Sequence, residues 1–264
     1  MIGKNVLELD RIDSTNAHAG RLLLQNPPED GDVIWAREQS AGRGQHDHAW
    51  ESEAGRNLTF TLILRPSFLA PDHQFLLNKA LALGVVDFIG LMLKPVNDTE
   101  YGIRDTGYGI PHPVVSIKWP NDIYVGDRKA GGILIENKIM GSTLETSLAG
   151  IGININQEHF SPEIPNPVSL IHFLHRETTL EEALHLVCKY LDIRYGKLKN
   201  TDPAALSIEF DQHLFGYGKW RKFMFKGDPL DGKIKGVNNP GQLMVETRSG
   251  EILSFNHGEI GFVI

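Results

Sequence analysis

The sequence predicts an α+β fold: a mixed β-sheet region with flanking helices over residues 1–215, followed by a small β-barrel over 216–264. Three observations predict it. Up to Phe215-Gly216, β-like runs alternate with helix-like segments. After Gly216 there are only short strands, separated by Gly-rich turns. The 264-residue chain is 41% hydrophobic and 22% charged, a globular composition with enough apolar residues for a real core.

The elements follow in order. NVLELDRID alternates apolar and polar residues, as a strand does. Ser14, Thr15 and Asn16 then precede AHAGRLLLQ, a helix-like run. GDVIWAREQ reads as a second strand, and NLTFTLILR, bounded by Gly55 and Pro66, as a strong third. Phe75 to Leu93 is long enough to span a membrane, but Asn78, Lys79 and Asp87 interrupt it, so a buried helix is expected. A loop rich in Gly, Pro, Asp and Asn runs from Pro95 to Pro113. VVSIKWP and DIYVGDRKAGGILIEN read as strand, turn, strand, and TSLAGIGININ as a further strand. TTLEEALHLVCKYLDIRYGKL is an amphipathic helix whose Thr179 and Glu182 match a capping box. Asp202-Pro203 opens another helix, with Pro at its first position. In the C-terminal region NNPG suits a type II turn centred on Pro240 and Gly241.

Composition excludes several classes. A net charge of −7 is not that of a dedicated nucleic-acid binder. The single cysteine, Cys188, permits no internal disulfide or Cys-based zinc site. The start, MIGKNVLELDRIDSTN, has no apolar signal core, so a cytoplasmic protein without membrane attachment is expected.

Four segments carry chemistry. SAGRGQHDHAW, Ser40 to Trp50, packs two glycines around Arg43, and such a loop can hold a phosphate; a plain surface loop is the alternative. KWPND places Lys118 at a strand end and Asn121 and Asp122 in a turn. Lys129 enters a buried, glycine-flanked strand, where its ammonium is costly unless an anion meets it. In GIGININ, Asn154 and Asn156 interrupt an apolar strand at period two, so either one face is wet or an amide reads a ligand edge. Ser14-Thr15-Asn16 also suits a helix N-cap. The histidines His46, His48, His172 and His175 lack an obvious third zinc ligand and read as surface groups.

In their order, IDSTN, EQSAGRG…W, KWPND, KAGGILIE, GIGININ and a β unit ending in GEIGF resemble biotin protein ligase over essentially the whole chain. The resemblance implies a class II synthetase-like catalytic domain (1–215) and an SH3-like barrel (216–264). It looks like the short class, which lacks the winged-helix DNA-binding domain, so no DNA partner is expected. The implied reaction has two steps. Biotin and ATP, with Mg2+, give biotinyl-5′-AMP and pyrophosphate; a lysine of a biotin carboxyl carrier protein of acetyl-CoA carboxylase, or of a related carboxylase, then takes the biotin. A monomer or homodimer is expected.

Carried over by position, Ser14, Thr15, Asn16, Gln39, Arg43, Gly44, Gln45 and Lys129 are implied biotin-binding residues. Arg43, Trp50, Lys118, Asn121 and Asn154 are implied nucleotide-binding residues, Lys129 and Arg43 catalytic ones, and Asp122 a metal ligand. One departure stands out. The family loop commonly reads Gly-Arg-Gly-Arg with a further Arg before the Trp; here Gln45 and His48 take those two places. A lipoate or octanoate protein ligase is the alternative enzyme, and a non-catalytic biotin sensor or repressor the alternative class.

Overall fold

A computed structural model describes residues 1–25, 27–45, 49–94, 114–200 and 202–263. The predicted Pro95–Pro113 loop therefore lies outside the described residues, as do His46 and His48.

Seven strands form the first sheet: β1 (Val6–Ile12), β2 (Val33–Gln39), β3 (Leu58–Leu64), β4 (Val115–Lys118), β5 (Asp122–Val125), β6 (Arg128–Met140) and β7 (Thr143–Ile153). They lie in the order β1-β2-β3-β7-β6-β5-β4. Helix α1 (Thr15–Gln25) crosses over between β1 and β2, which makes that pair parallel. The remaining neighbours are antiparallel, so the sheet is mixed, as expected.

Side-chain alternation gives this sheet two faces with different work. On β3, Leu58, Phe60, Leu62 and Leu64 enter the main core, while Thr59, Thr61 and Ile63 face the other way. On β7, Ala149, Ile151 and Ile153 join the core, leaving Leu148, Gly150 and Gly152 on the opposite face. Helices α2 (Phe75–Met92) and α4 (Leu180–Asn200) cover the core face, with α5 (Pro203–Gln212) against α2. A one-turn helix, α3 (Ile171–Leu174), precedes α4. The membrane-length apolar stretch is thus an internal helix: its most apolar window is 72% buried within the fold. Helix α4 starts directly after Thr179, and Asp202 caps α5 by accepting from the Ala204 N–H.

Where a small β-barrel is expected, the C-terminal region shows a five-stranded antiparallel sheet of β8 (Trp220–Phe225), β9 (Asp228–Val237), β10 (Leu243–Thr247), β11 (Ile252–Phe255) and β12 (Ile260–Phe262). Its order is β11-β10-β9-β8-β12. The NNPG turn differs from expectation. The Gly241 N–H donates to Asn238 O, so the turn centres on Asn239 and Pro240 and Gly241 follows with φ of 95°. The reason is Asn238, whose side chain accepts from the Gln242 N–H and closes the loop one residue early.

Both sheets contribute to one core: Phe223, Ile234, Val237, Leu243, Val245, Phe255 and Ile260 are continuous with the residues of β3 and α2. Lys79 of α2 lies on this seam, fully buried. Its ammonium donates to Val237 O on β9 at 2.8 Å and to Ser207 Oγ on α5 at 3.0 Å. Burial pulls Lys79 below the ordinary lysine pKa, with Asp211 opposing. Below that unfolded value, of about 10.4, the unfolded chain holds the proton more tightly. Stability from this group therefore rises with pH between the lowered folded value and the unfolded one. Urea titrations should show wild type gaining stability relative to Lys79→Met as pH climbs towards about 10. A stability difference independent of pH would contradict this account.

Candidate functional site

The site grows from the sheet face that the core does not use. Two rows of residues cross it. One runs Thr61–Gly150–Leu134 over β3, β7 and β6. The next runs Thr59–Gly152–Gly132–Asp122, continuing onto β5. Three of these positions lack a side chain, and at Gly150 and Gly152 another side chain presses on the backbone. A Cβ at Gly150 would stand 2.5 Å from Asn16 Oδ1, and one at Gly152 2.4 Å from the Trp50 ring. A Cβ at Gly132 would meet the Trp50 ring at 3.5 Å and Lys129 Cε at 3.6 Å. The glycines thus form a shallow shelf on which two functional side chains lie against backbone.

At the first row, Ser14, Thr15 and Asn16 are all buried. Ser14 O accepts from the His18 N–H, so Ser14 stands at the N-cap of α1; the capping and pocket readings of this triplet coincide. The Thr15 N–H donates to Gln39 Oε1 at 2.8 Å, a cap supplied from β2. Asn16 Nδ2 donates to Glu136 Oε2 at 2.8 Å, and Asn16 Oδ1 accepts from Thr61 Oγ1 at 2.6 Å.

At the second row the groups are charged. Lys129 Nζ lies 2.6 Å from Asp122 Oδ1 and 5.6 Å from the centre of the Trp50 ring. The anion that meets this lysine is therefore the chain's own Asp122. Lys118 donates to the Tyr124 hydroxyl at 3.2 Å and sits over the rings of Tyr124 and of Phe262 from the second sheet. Burial pulls the Lys118 ammonium below the ordinary lysine value; Asp122 opposes this and Lys129 adds to it. Burial also pushes the Tyr124 hydroxyl up to about 12. Asn121 braces the turn by donating to Ile133 O at 2.8 Å.

The described ends of the glycine-rich loop, Arg43 to Gln45 and Ala49 to Trp50, lie beside these rows and line the same cavity. The loop is pinned at its base by the Arg43–Ala49 bridge and by the Trp50 N–H on Gly42 O at 3.0 Å. Arg43 is half exposed, 4.0 Å from Glu136. Gln45 Oε1 and Trp50 Nε1 are buried without a hydrogen-bond partner among the described residues, and each is free for a ligand.

One cavity of about 650 Å³ is lined by Ser14, Thr15, Asn16, Gln39, Arg43, Gly44, Gln45, Trp50, Lys118, Asn121, Asp122, Lys129 and Asn154. Every residue that the resemblance assigns to a substrate thus lies on the same concave surface. The two asparagines of GIGININ divide the readings between them. Asn154 lines the cavity while donating to Val168 O; Asn156 exchanges bonds with the Thr178 backbone and serves the fold. His172 is likewise bound to backbone, accepting from the Ser169 N–H at Nδ1. No cluster of three metal-ligating side chains occurs among the described residues.

Sequence reasoning missed Thr61, Glu136, the shelf glycines and His257. Gly150 and Gly152, two apart on a strand, carried a readable signal: a face approached closely by other atoms. Glu136 and Thr61 carried none, since partners 120 and 45 residues away define them. His257 reaches the cavity from the second sheet, its ring edge-on to Trp119.

Comparison with known proteins gives the family and the fold. The family model described as "Biotin/lipoate A/B protein ligase family" matches residues 8–154. The chain is 34% identical to the bifunctional ligase/repressor BirA of Escherichia coli over 274 residues, covering 98% of this chain and 74% of that protein. It is 34% identical over 151 residues to a biotin–acetyl-CoA-carboxylase ligase of Paracoccus denitrificans, 56% of this chain and 53% of that one. Its fold resembles the biotin protein ligase of Aquifex aeolicus solved with biotin and ATP, with a TM-score of 0.76 and 23% identity over 98% of this chain and 99% of that one. With a family model matched over residues 8–154 and a relative 34% identical over 98% of this chain, the chain belongs to the biotin/lipoate A/B protein ligase family.

Proposed function

We propose that this protein is an ATP-dependent biotin protein ligase. The observation that carries the reading is a single cavity holding a buried amide–hydroxyl cluster (Thr15, Asn16, Gln39) next to a lysine–carboxylate pair (Lys129–Asp122). The first suits an uncharged polar head group, and the second suits reacting anions. The relatives named as biotin ligases favour biotin over lipoate.

In the proposed reaction a biotin carboxylate oxygen attacks the α-phosphate of ATP, and pyrophosphate leaves. A carrier lysine then attacks the acyl carbon and releases AMP. Two anions must meet, so fixed positive charge is needed where they do. Lys129 supplies it. Its bond to Asp122 holds the ammonium in place beforehand, and its position over Trp50 directs it to the nucleotide side. Lys118 adds a second cation, and the Trp50 and Asn154 side chains line the place proposed for adenine. Mg2+ would enter with the ATP phosphates and would neutralise their charge, and Asp122 would be the protein carboxylate that holds it; a sparse protein share suits this ion. Residues 1–215 would hold both substrates. Residues 216–264 would assist nucleotide use or carrier docking, through His257 at the cavity and Phe262 under Lys118. The carrier is proposed to be the biotin carboxyl carrier protein of a carboxylase. Calorimetry with biotin and with lipoate tests the substrate: biotin binding without lipoate binding is expected, and the reverse would favour the lipoate reading.

Replacing Lys129 by Ala or Gln should lower pyrophosphate exchange by ~10²–10³ while changing biotin affinity far less. Near-wild-type exchange would exclude this role. In Gly152→Ala the new methyl overlaps the Trp50 ring, so the indole must leave its shelf. The KM for ATP should rise roughly tenfold, the scale of one lost stacking contact, and biotin affinity should persist. Gln45 hydrogen-bonds without charge, whereas charge-assisted bonds to phosphate are roughly twice as strong. Gln45→Arg should therefore slow dissociation of the adenylate; equal rates would mean that Arg43 and loop N–H groups already hold the phosphate.

A further inference from the structure

Glu136 belongs neither to the apolar core nor to the groups given a chemical role above; one oxygen lies 4.0 Å from the exposed Arg43 guanidinium, and the other touches the buried polar cluster of the cavity. Its Oε2 accepts from Asn16 Nδ2 at 2.8 Å. An ionised carboxylate can only accept, so Asn16 has to turn its amide nitrogen towards β6. Its oxygen then faces Thr61 Oγ1, 2.6 Å away and fully buried. That oxygen also can only accept, so the single Thr61 proton is committed to Asn16. Thr15 Oγ1, 2.8 Å from Thr61, receives no proton from it and must direct its own to Thr61 or to Gln39 Oε1 at 3.2 Å. Gln39 Oε1 already accepts from the Thr15 N–H, so Gln39 Nε2 points away from Thr15 as a donor.

We propose that Glu136 is a positioning residue that sets the direction of the hydrogen bonds through Asn16, Thr61 and Thr15, and so makes the cavity selective for a cyclic urea. The wall then offers acceptor oxygens of Asn16 and Thr15 beside a donor from Gln39. A cyclic urea carries N–H donors next to a carbonyl acceptor; a dithiolane or an alkyl chain carries neither. The inference rests on the biotin reading and adds the residue that enforces it. Thr61 is the middle link, and Gly150 leaves the space in which Asn16 Oδ1 lies.

The test uses the full chain and biotin. Glu136→Gln keeps shape and bonding capacity but can present an N–H to Asn16, which permits the opposite direction. Thr61→Val removes the middle link at similar size. Each should raise the biotin Kd about tenfold, the scale of one mispaired buried group, and leave the KM for ATP at its wild-type value. The double variant should be no worse than the weaker-binding single one, because both cut the same chain. Thermal melts establish that each variant folds; if Glu136→Gln does not, the Thr61→Val pattern alone decides. Unchanged biotin affinity in a folded variant, an equal loss for ATP, or strictly additive losses would overturn the proposal. If wild type itself binds no biotin, the functional reading fails instead, and the two failures are distinct.

Discussion

The whole site depends on the absence of two side chains. Gly150 and Gly152 lie on the face of β7 turned away from the core, and Asn16 and Trp50 occupy the space a Cβ would fill there; beside them Gly132 on β6 is in ordinary contact with the Trp50 ring. Everything else is arranged around this contact. Alternation along β3 and β7 commits one face to leucine, phenylalanine and isoleucine, which frees the other for threonine and glycine. The core builds the platform, and the missing methyl groups let polar side chains lie on it.

Charge is distributed along that platform in one direction. The row at Gly150 ends in neutral amides and hydroxyls, satisfied among themselves and anchored on Glu136. The row at Gly152 ends in Lys129 and Asp122, with Lys118 beside them. Two residues of strand separate the rows by about 7 Å. A ligand with an uncharged polar head and an acidic tail matches that order. The second sheet is part of the same construction. Its Gly241 carbonyl accepts from the Trp119 indole, its Val237 carbonyl takes the Lys79 ammonium, and its Phe262 lies under Lys118.

Much of this was legible in the sequence, for reasons that differ by residue. The strands and helices carried their own periodicity and caps, as Asp202-Pro203 shows at α5. Lys129 beside glycines and Asn154 in an apolar strand were legible because their types are anomalous in place; Gln39, Gln45 and Trp50 were legible only through the order of motifs that the chain shares with a known family. The NNPG turn was misplaced by one residue because Asn238, not the Pro-Gly pair, closes it. Glu136 and Thr61 were illegible because a glutamate or threonine in a strand is ordinary. Only the folded register brings them to Asn16.

The central claim is that one cavity joins an acid to a nucleotide and passes it to a protein lysine. The most direct measurement incubates the purified chain with biotin, ATP, Mg2+ and a biotin carboxyl carrier domain, with lipoate in parallel, and reads carrier mass and pyrophosphate together. The account predicts a carrier heavier by one biotinyl group on a single lysine, one pyrophosphate per transfer, and no lipoyl product. Lipoylation of the carrier, or transfer without pyrophosphate release, would contradict it.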